Sequence, residues 1–156
     1  MSKKSAGLLL FREASGPVEV LLVHPGGPFW SKKDESAWSI PKGELSDDED
    51  PFGAALREVR EELGEAVTGD FIALRPRRQP GGKLVYAWAV RSGFDPARIK
   101  SNTFSIEWPP RSGRRQAFPE IDKAAWFALD TARVKMSKGQ TGFLDELEDT
   151  LKRRAR

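Results

Sequence analysis

The chain contains no cysteine. Disulfides, thiol nucleophiles and cysteine-built zinc sites are therefore excluded. A single histidine, His24, rules out a histidine-rich metal centre and argues against a Ser-His triad. No apolar run approaches the roughly 20 residues needed to cross a bilayer, so no membrane partner is expected. Lys3 and Lys4 precede a short apolar run, Ala6 to Phe11, that breaks at Arg12 and Glu13. That run makes a poor secretory signal, and the default expectation is a cytoplasmic protein. Net charge is also small. The 26 Lys and Arg against 23 Asp and Glu leave +3, with a sequence pI near 9.3. Such an excess suits an anionic ligand without demanding nucleic acid.

A length of 156 residues with 38% hydrophobic content is enough for one domain with a sizeable core. No repeat, low-complexity tract or abrupt composition shift divides it, so residues 1–156 read as a single domain. The organising stretch is Gly43 to Gly64, GELSDDEDPFGAALREVREELG. Phe52, Ala55, Leu56, Val59 and Leu63 recur at helical intervals and define an apolar stripe. Asp50 followed by Pro51 reads as an N-cap with proline in the first turn, and Gly64 as the stop. Glu58, Glu61 and Glu62 fall on one flank of the stripe, within reach of a common point. Three like charges repel there, and a hard divalent cation with oxygen ligands would reverse the sign of that interaction. The plain alternative is an exposed acidic helix paired with Arg57 and Arg60.

Elsewhere, Ser5–Phe11 and Val18–Val23 read as strands joined in a hairpin over Glu13–Pro17, their continuous apolar runs implying burial on both faces. Pro25–Ser36 reads as a loop in which Phe29 and Trp30 either stack on a base or pin the loop to the core. Lys32 and Lys33 there either meet phosphate or are solvated. Trp38–Ile40 is a short extended piece, with Trp38 read as core. Asp70–Leu74 and Lys83–Val90 read as strands connected through Pro80-Gly81-Gly82, with Tyr86 and Trp88 on one face. Gly93–Phe118 is rich in proline and basic residues and reads as less regular, a length of chain that is often functional or has partial structure of its own. Ile121–Leu129 contains a last strand, Asp130–Met136 a short helix and Gly142–Arg154 an amphipathic closing helix. This order alone supports only α/β or α+β.

Written as G-x5-E-x7-R-E-U-x-E-E-x-G-U, with U a bulky aliphatic, the organising stretch resembles the Nudix box. Gly43, Glu49, Arg57, Glu58, Val59, Glu61, Glu62 and Gly64 fall in register, while Glu65 departs from the final U. The resemblance implies an α/β/α sandwich with a mixed central sheet. It implies a hydrolase that cleaves a pyrophosphate bond in a nucleoside diphosphate linked to another group, with Mg²⁺ or Mn²⁺. Glu58, Glu61 and Glu62 would hold the metal together with a backbone carbonyl near Lys42 or Gly43. Arg57 would orient a carboxylate, for which Glu49 is a candidate. A further acidic residue often joins from outside the box; here Glu120 is the first choice, with Glu107 and Asp122 as competitors.

The segments SAGLLLF, WSIPKGE (Trp38–Glu44) and AAWF are similar to those of diadenosine tetraphosphate hydrolases. The implied substrate is thus a dinucleoside polyphosphate, with Lys42, Lys32, Arg78 and Arg115 among the cationic contacts and Trp30 stacking a base. Nucleoside triphosphate or nucleotide-sugar hydrolysis, and a non-catalytic nucleotide sensor, stand as alternatives. An RNA-binding role is not expected, since no RNA-recognition motif is present. A monomer or homodimer is expected.

Overall fold

The computed structural model describes residues 3–13 and 16–155. Its central strand, β1 (Lys4–Arg12), is buried along nearly its whole length. Period-two alternation sends Leu8 and Leu10 to one face and Leu9 and Phe11 to the other, so both faces must be covered. That requirement explains the unbroken apolar run.

β1 pairs in parallel with β6 (Leu84–Arg91) and antiparallel with β2 (Glu19–Pro25), and β2 pairs with β9 (Ile121–Ala128). Two short strands, β4 (Ile72–Ala73) and β5 (Arg77–Arg78), add antiparallel to β6, and β3 (Lys42–Glu44) adds to β1. The result is a mixed seven-stranded sheet. Helix α1 (Pro51–Leu63) covers one face through Ala54, Ala55, Val59 and Leu63. Helices α2 (Leu129–Lys135) and α3 (Gly142–Arg154) cover the other through Ala132, Phe143, Leu144 and Leu147. The expected sandwich is thus observed.

Two local expectations need correction, and two open ones are resolved. The β1–β2 hairpin pairs only beside its turn, at Phe11↔Val20 and Arg12↔Glu19. Beyond that point the strands fork and the segment from Trp38 enters between them. Ser39 bonds Val23, and the Pro41 carbonyl accepts from the Leu8 N–H. Two residues of the expected connecting turn, 14 and 15, lie outside the described residues. The strand expected at Asp70–Leu74 shrinks to β4 and resumes as β5 after Pro76, which has no N–H to give a ladder. The partial structure of segment 93–118 is a 3₁₀ turn, Pro96–Arg98, and a hairpin of β7 (Thr103–Glu107) and β8 (Arg115–Pro119). Its basic residues hid the alternation of Phe104 and Ile106, which are half-buried, with the exposed residues between them. Finally, Phe29 is not pinned in the core but 63% exposed, set edge-on to Trp108 of that hairpin at 5.4 Å.

Helix α1 starts and stops as its sequence demands. The Asp50 carboxylate accepts from the Gly53 N–H at 2.9 Å, and Gly64 closes the helix at φ 86°. Phe52, also assigned to the stripe, is half-buried and packs on Phe71 and Trp88. Because Leu8 and Leu9 are both fully buried but serve opposite cores, Leu8→Ala and Leu9→Ala should each destabilise by about 2–5 kcal/mol. Their effects should add, because they share few neighbours; urea titration of the single and double variants checks this.

Candidate active site

The fork between β1 and β2 determines where the acidic flank of α1 lies. As the chain leaves the fork, β3 runs along β1 with Gly43 opposite Ala6 and Lys42 opposite Gly7. This brings its backbone against α1. The Lys42 N–H donates to Glu62 Oε1 at 3.0 Å. A Cβ on Gly43 would lie 1.9 Å from Glu58 Oε2 and 2.2 Å from its Cδ, so only glycine leaves room for that side chain. Upstream, the approach is held by Gln140, which is fully buried. Its Oε1 accepts from the Ile40 N–H at 3.1 Å and its Nε2 donates to Ser39 Oγ at 3.1 Å.

Arg57 joins the acidic residues of the box. It donates through Nε and Nη2 to Glu49 Oε2 at 3.0 and 2.6 Å, and through Nη1 to Glu58 Oε1 at 2.8 Å. Nη1 also lies 3.5 Å from Glu61. Hydrogen bonding to Arg57 holds the Glu49 carboxyl below its ordinary range. Glu58 and Glu62 move the other way. Burial is the chief cause in both, and Glu62 is pushed from 4.5 up to about 8. The charges of Glu58 and Glu120 add to the shift at Glu62. Glu120 is exposed at the corner between β8 and β9. Of its competitors, Glu107 accepts from the Arg111 N–H within the β7–β8 hairpin, and Asp122 is bound to His24. The Lys42 ammonium is pushed down, mainly by burial and then by Lys83.

The other sequence-derived candidates lie further out. Trp30 is 40% exposed on the 25–36 loop with the Lys33 ammonium 5.0 Å above its ring, and Lys32 is exposed beside it. Arg115 donates to the Ser105 carbonyl across its own hairpin. The Phe29–Trp108 contact brings this hairpin and the loop together. Arg78 donates to the Gly82 carbonyl within its own turn. Among the described residues, no hydrogen bond or ion pair joins Trp30, Lys32, Arg78 or Arg115 to the carboxylates. Gln140 and the His24–Asp122 pair had no sequence signal, since each is a lone polar residue whose partners lie far along the chain.

The donor set suits a hard divalent cation: carboxylate oxygens, with Glu62 set beside like charges that a cation would offset. Among the described residues no three acidic or histidine side chains converge closely enough to enclose one as they stand. Glu58 gives Oε1 to Arg57 and Glu62 gives Oε1 to the Lys42 N–H, which leaves the second oxygen of each carboxylate to offer to a cation.

A helix bearing this acidic flank, packed on a mixed sheet, defines a class, and residues 1–147 match the NUDIX domain; the chain belongs to the Nudix family. It is 29% identical over 140 residues to the 8-oxo-(d)GTP phosphatase of Mycolicibacterium smegmatis, covering 83% of this chain and 36% of that protein. It is 37% identical over 62 residues to the asymmetrical bis(5'-nucleosyl)-tetraphosphatase of Caenorhabditis elegans, covering 40% and 41%. The alignments thus span well under half the length of either curated relative. The crystal structure of a C. elegans Ap4A hydrolase binary complex superposes with a TM-score of 0.63 at 22% identity, covering 96% of this chain and 97% of that one. At that identity the likeness bears on fold alone.

Two outcomes follow from this geometry. Gly43→Ala should displace Glu58 and lower kcat by about 10²-fold with little change in far-UV circular dichroism. In metal-free buffer the folded state keeps a proton on Glu62 that the unfolded chain has released above pH 4.5. Stability is therefore full below that pH and falls as pH rises through about 8. Thermal melts across this range should show the decline, and Glu62→Gln should flatten it.

Proposed function

We propose that the protein hydrolyses a pyrophosphate bond in a nucleotide, using a divalent metal, and that its substrate is a dinucleoside polyphosphate. The observation that carries the reading is the close approach of Glu58 and Glu62 to the Lys42–Gly43 backbone, with Arg57 bonded to Glu58. Mg²⁺ or Mn²⁺, when bound, neutralises charge on phosphoryl oxygens and lowers the pKa of a water. Glu58, Glu61 and Glu62 are the proposed ligands, together with a backbone carbonyl near Lys42. Glu120 completes the acidic wall opposite the helix. Arg57 acts indirectly, by fixing the direction of Glu58.

A long polyphosphate carries more negative charge than one diphosphate, and Lys42, Lys32, Arg78 and Arg115 provide cations to meet it. Trp30 offers an exposed face for a base. With diadenosine tetraphosphate, water attack at an outer phosphate breaks one P–O bond and releases ATP and AMP. The asymmetrical tetraphosphatase relative supports this substrate class. The phosphatase relative, which aligns over more of the chain, favours a second reading in which the substrate is a nucleoside triphosphate.

The test is hydrolysis of a nucleotide panel with Mg²⁺ or Mn²⁺, with products identified by mass. Diadenosine tetraphosphate should give the highest kcat/KM; a higher value for a nucleoside triphosphate would select the second reading. Glu61→Gln and Glu62→Gln should each lower kcat by at least about 10²-fold while remaining folded, because loss of a charged group at a phosphoryl-transfer site has effects of this order. Near-normal turnover in both would remove the glutamates from the site.

A further inference from the structure

His24 is 1% exposed, yet nothing in the proposed chemistry uses it. Its Nδ1 lies 2.9 Å from Asp122 Oδ1 and its Nε2 lies 2.7 Å from the Lys33 carbonyl. Its ring packs edge-on against Trp38 at 5.2 Å. Buried imidazole groups of this kind need partners, and these two come from segments far apart in the chain, the 25–36 loop and the start of β9.

The Asp122 contact sits at an irregularity. In the β2–β9 ladder, Pro25 pairs with Ile121 and His24 with Lys123, so Asp122 is the extra residue of a β-bulge. Bulges re-aim side chains, and this one begins just after Glu120. The corner is clamped from the other side too. The Gly26 N–H donates to the Glu120 carbonyl at 2.8 Å, and a Cβ on Gly26 would lie 2.0 Å from the Pro119 carbonyl oxygen. The Lys33 contact holds the far end of the same loop, where Trp38 Nε1 also donates to Asp34 at 2.9 Å.

We infer that His24 is a positioning residue: by bonding Asp122 and the Lys33 carbonyl, it locks the bulge that aims Glu120 and anchors the loop bearing Trp30 and Lys32. The loop and the Glu120 corner then move as one unit. This inference rests on the proposed role of Glu120, and the experiment separates the two.

Wild type, His24→Phe, Glu120→Gln and the double variant are compared for kcat on whichever nucleotide the wild type hydrolyses fastest. Hydrogen exchange is followed in wild type and His24→Phe. His24→Phe should lower kcat at least about tenfold, with no further loss in the Glu120→Gln background, because residues that act through one another are not additive. Exchange in 25–36 and 119–122 should rise by about tenfold, with α3 unchanged. Unchanged exchange in both segments, or kcat losses that simply multiply, would overturn the inference. If Glu120→Gln is fully active, or the wild type hydrolyses no nucleotide, the functional reading fails and the exchange result alone decides the positioning role. Should His24→Phe not fold, Asp122→Ala, which removes the bulge contact and keeps the Lys33 contact, replaces it; the same kcat loss and non-additivity and faster exchange in 119–122 are expected, and their absence overturns the inference.

Discussion

Between the backbone of Lys42–Gly43 and the carboxylates of α1 there is room for a hydrogen but not for a methyl group. This approach sets much of the site. The peptide N–H of Lys42 reaches Glu62 only because β3 lies so near, and Glu58 occupies the space that a side chain at 43 would fill. The approach depends in turn on the fork between β1 and β2. Had those strands paired along their full length, the segment after Trp38 could not have entered between them. The Val23–Ser39 and Leu8–Pro41 hydrogen bonds replace the ladder that the fork gives up.

The acidic flank is a local conflict. Burial drives Glu58 and Glu62 toward the protonated form, while Arg57 and the Lys42 N–H favour the ionised one. Such a set is tolerated because the stability of the domain comes from elsewhere, from two separate cores on either side of one sheet. α1 belongs to both parts: its Ala55, Val59 and Leu63 are fully buried, and its glutamates lie one step round the helix. Anchoring one flank in the core fixes the direction of the other. This is how an unfavourable charge arrangement can be maintained without loosening the helix that bears it.

What was legible in the sequence follows the range of the interactions. α1, with its cap, stripe, stop and acidic flank, is set by contacts within a few residues, and its spacing could be read directly. The sandwich was implied by the resemblance of the box; the unbroken apolar run of β1 implied only a strand buried on both faces. The fork, the bulge at Asp122 and the contact of the 25–36 loop with the β7–β8 hairpin could not, because each joins residues distant in the chain. Gln140 and His24 were silent for the same reason: a buried polar side chain is recognisable only once its partner is known. The β7–β8 hairpin was missed because its strands are short and half-buried at best, so little apolar alternation marks them.

The strand order also bears on synthesis. β1 takes its parallel partner from Leu84–Arg91, and β2 takes its outer partner from Ile121–Ala128, with Val20 meeting Phe127. A chain emerging from the ribosome therefore displays its most apolar strands long before the strands that flank them exist. Until residue 128 is free of the exit tunnel, the edge of β2 is an unpaired row of N–H and C=O groups beside Leu21, Leu22 and Val23. Helix α1, which covers one face, precedes β6 and β9 in the chain, whereas α3, which covers the other, follows them. The burial that makes this sheet stable thus exposes the nascent chain to misassociation, and the vulnerable interval runs from the emergence of β2 to that of β9 and α3.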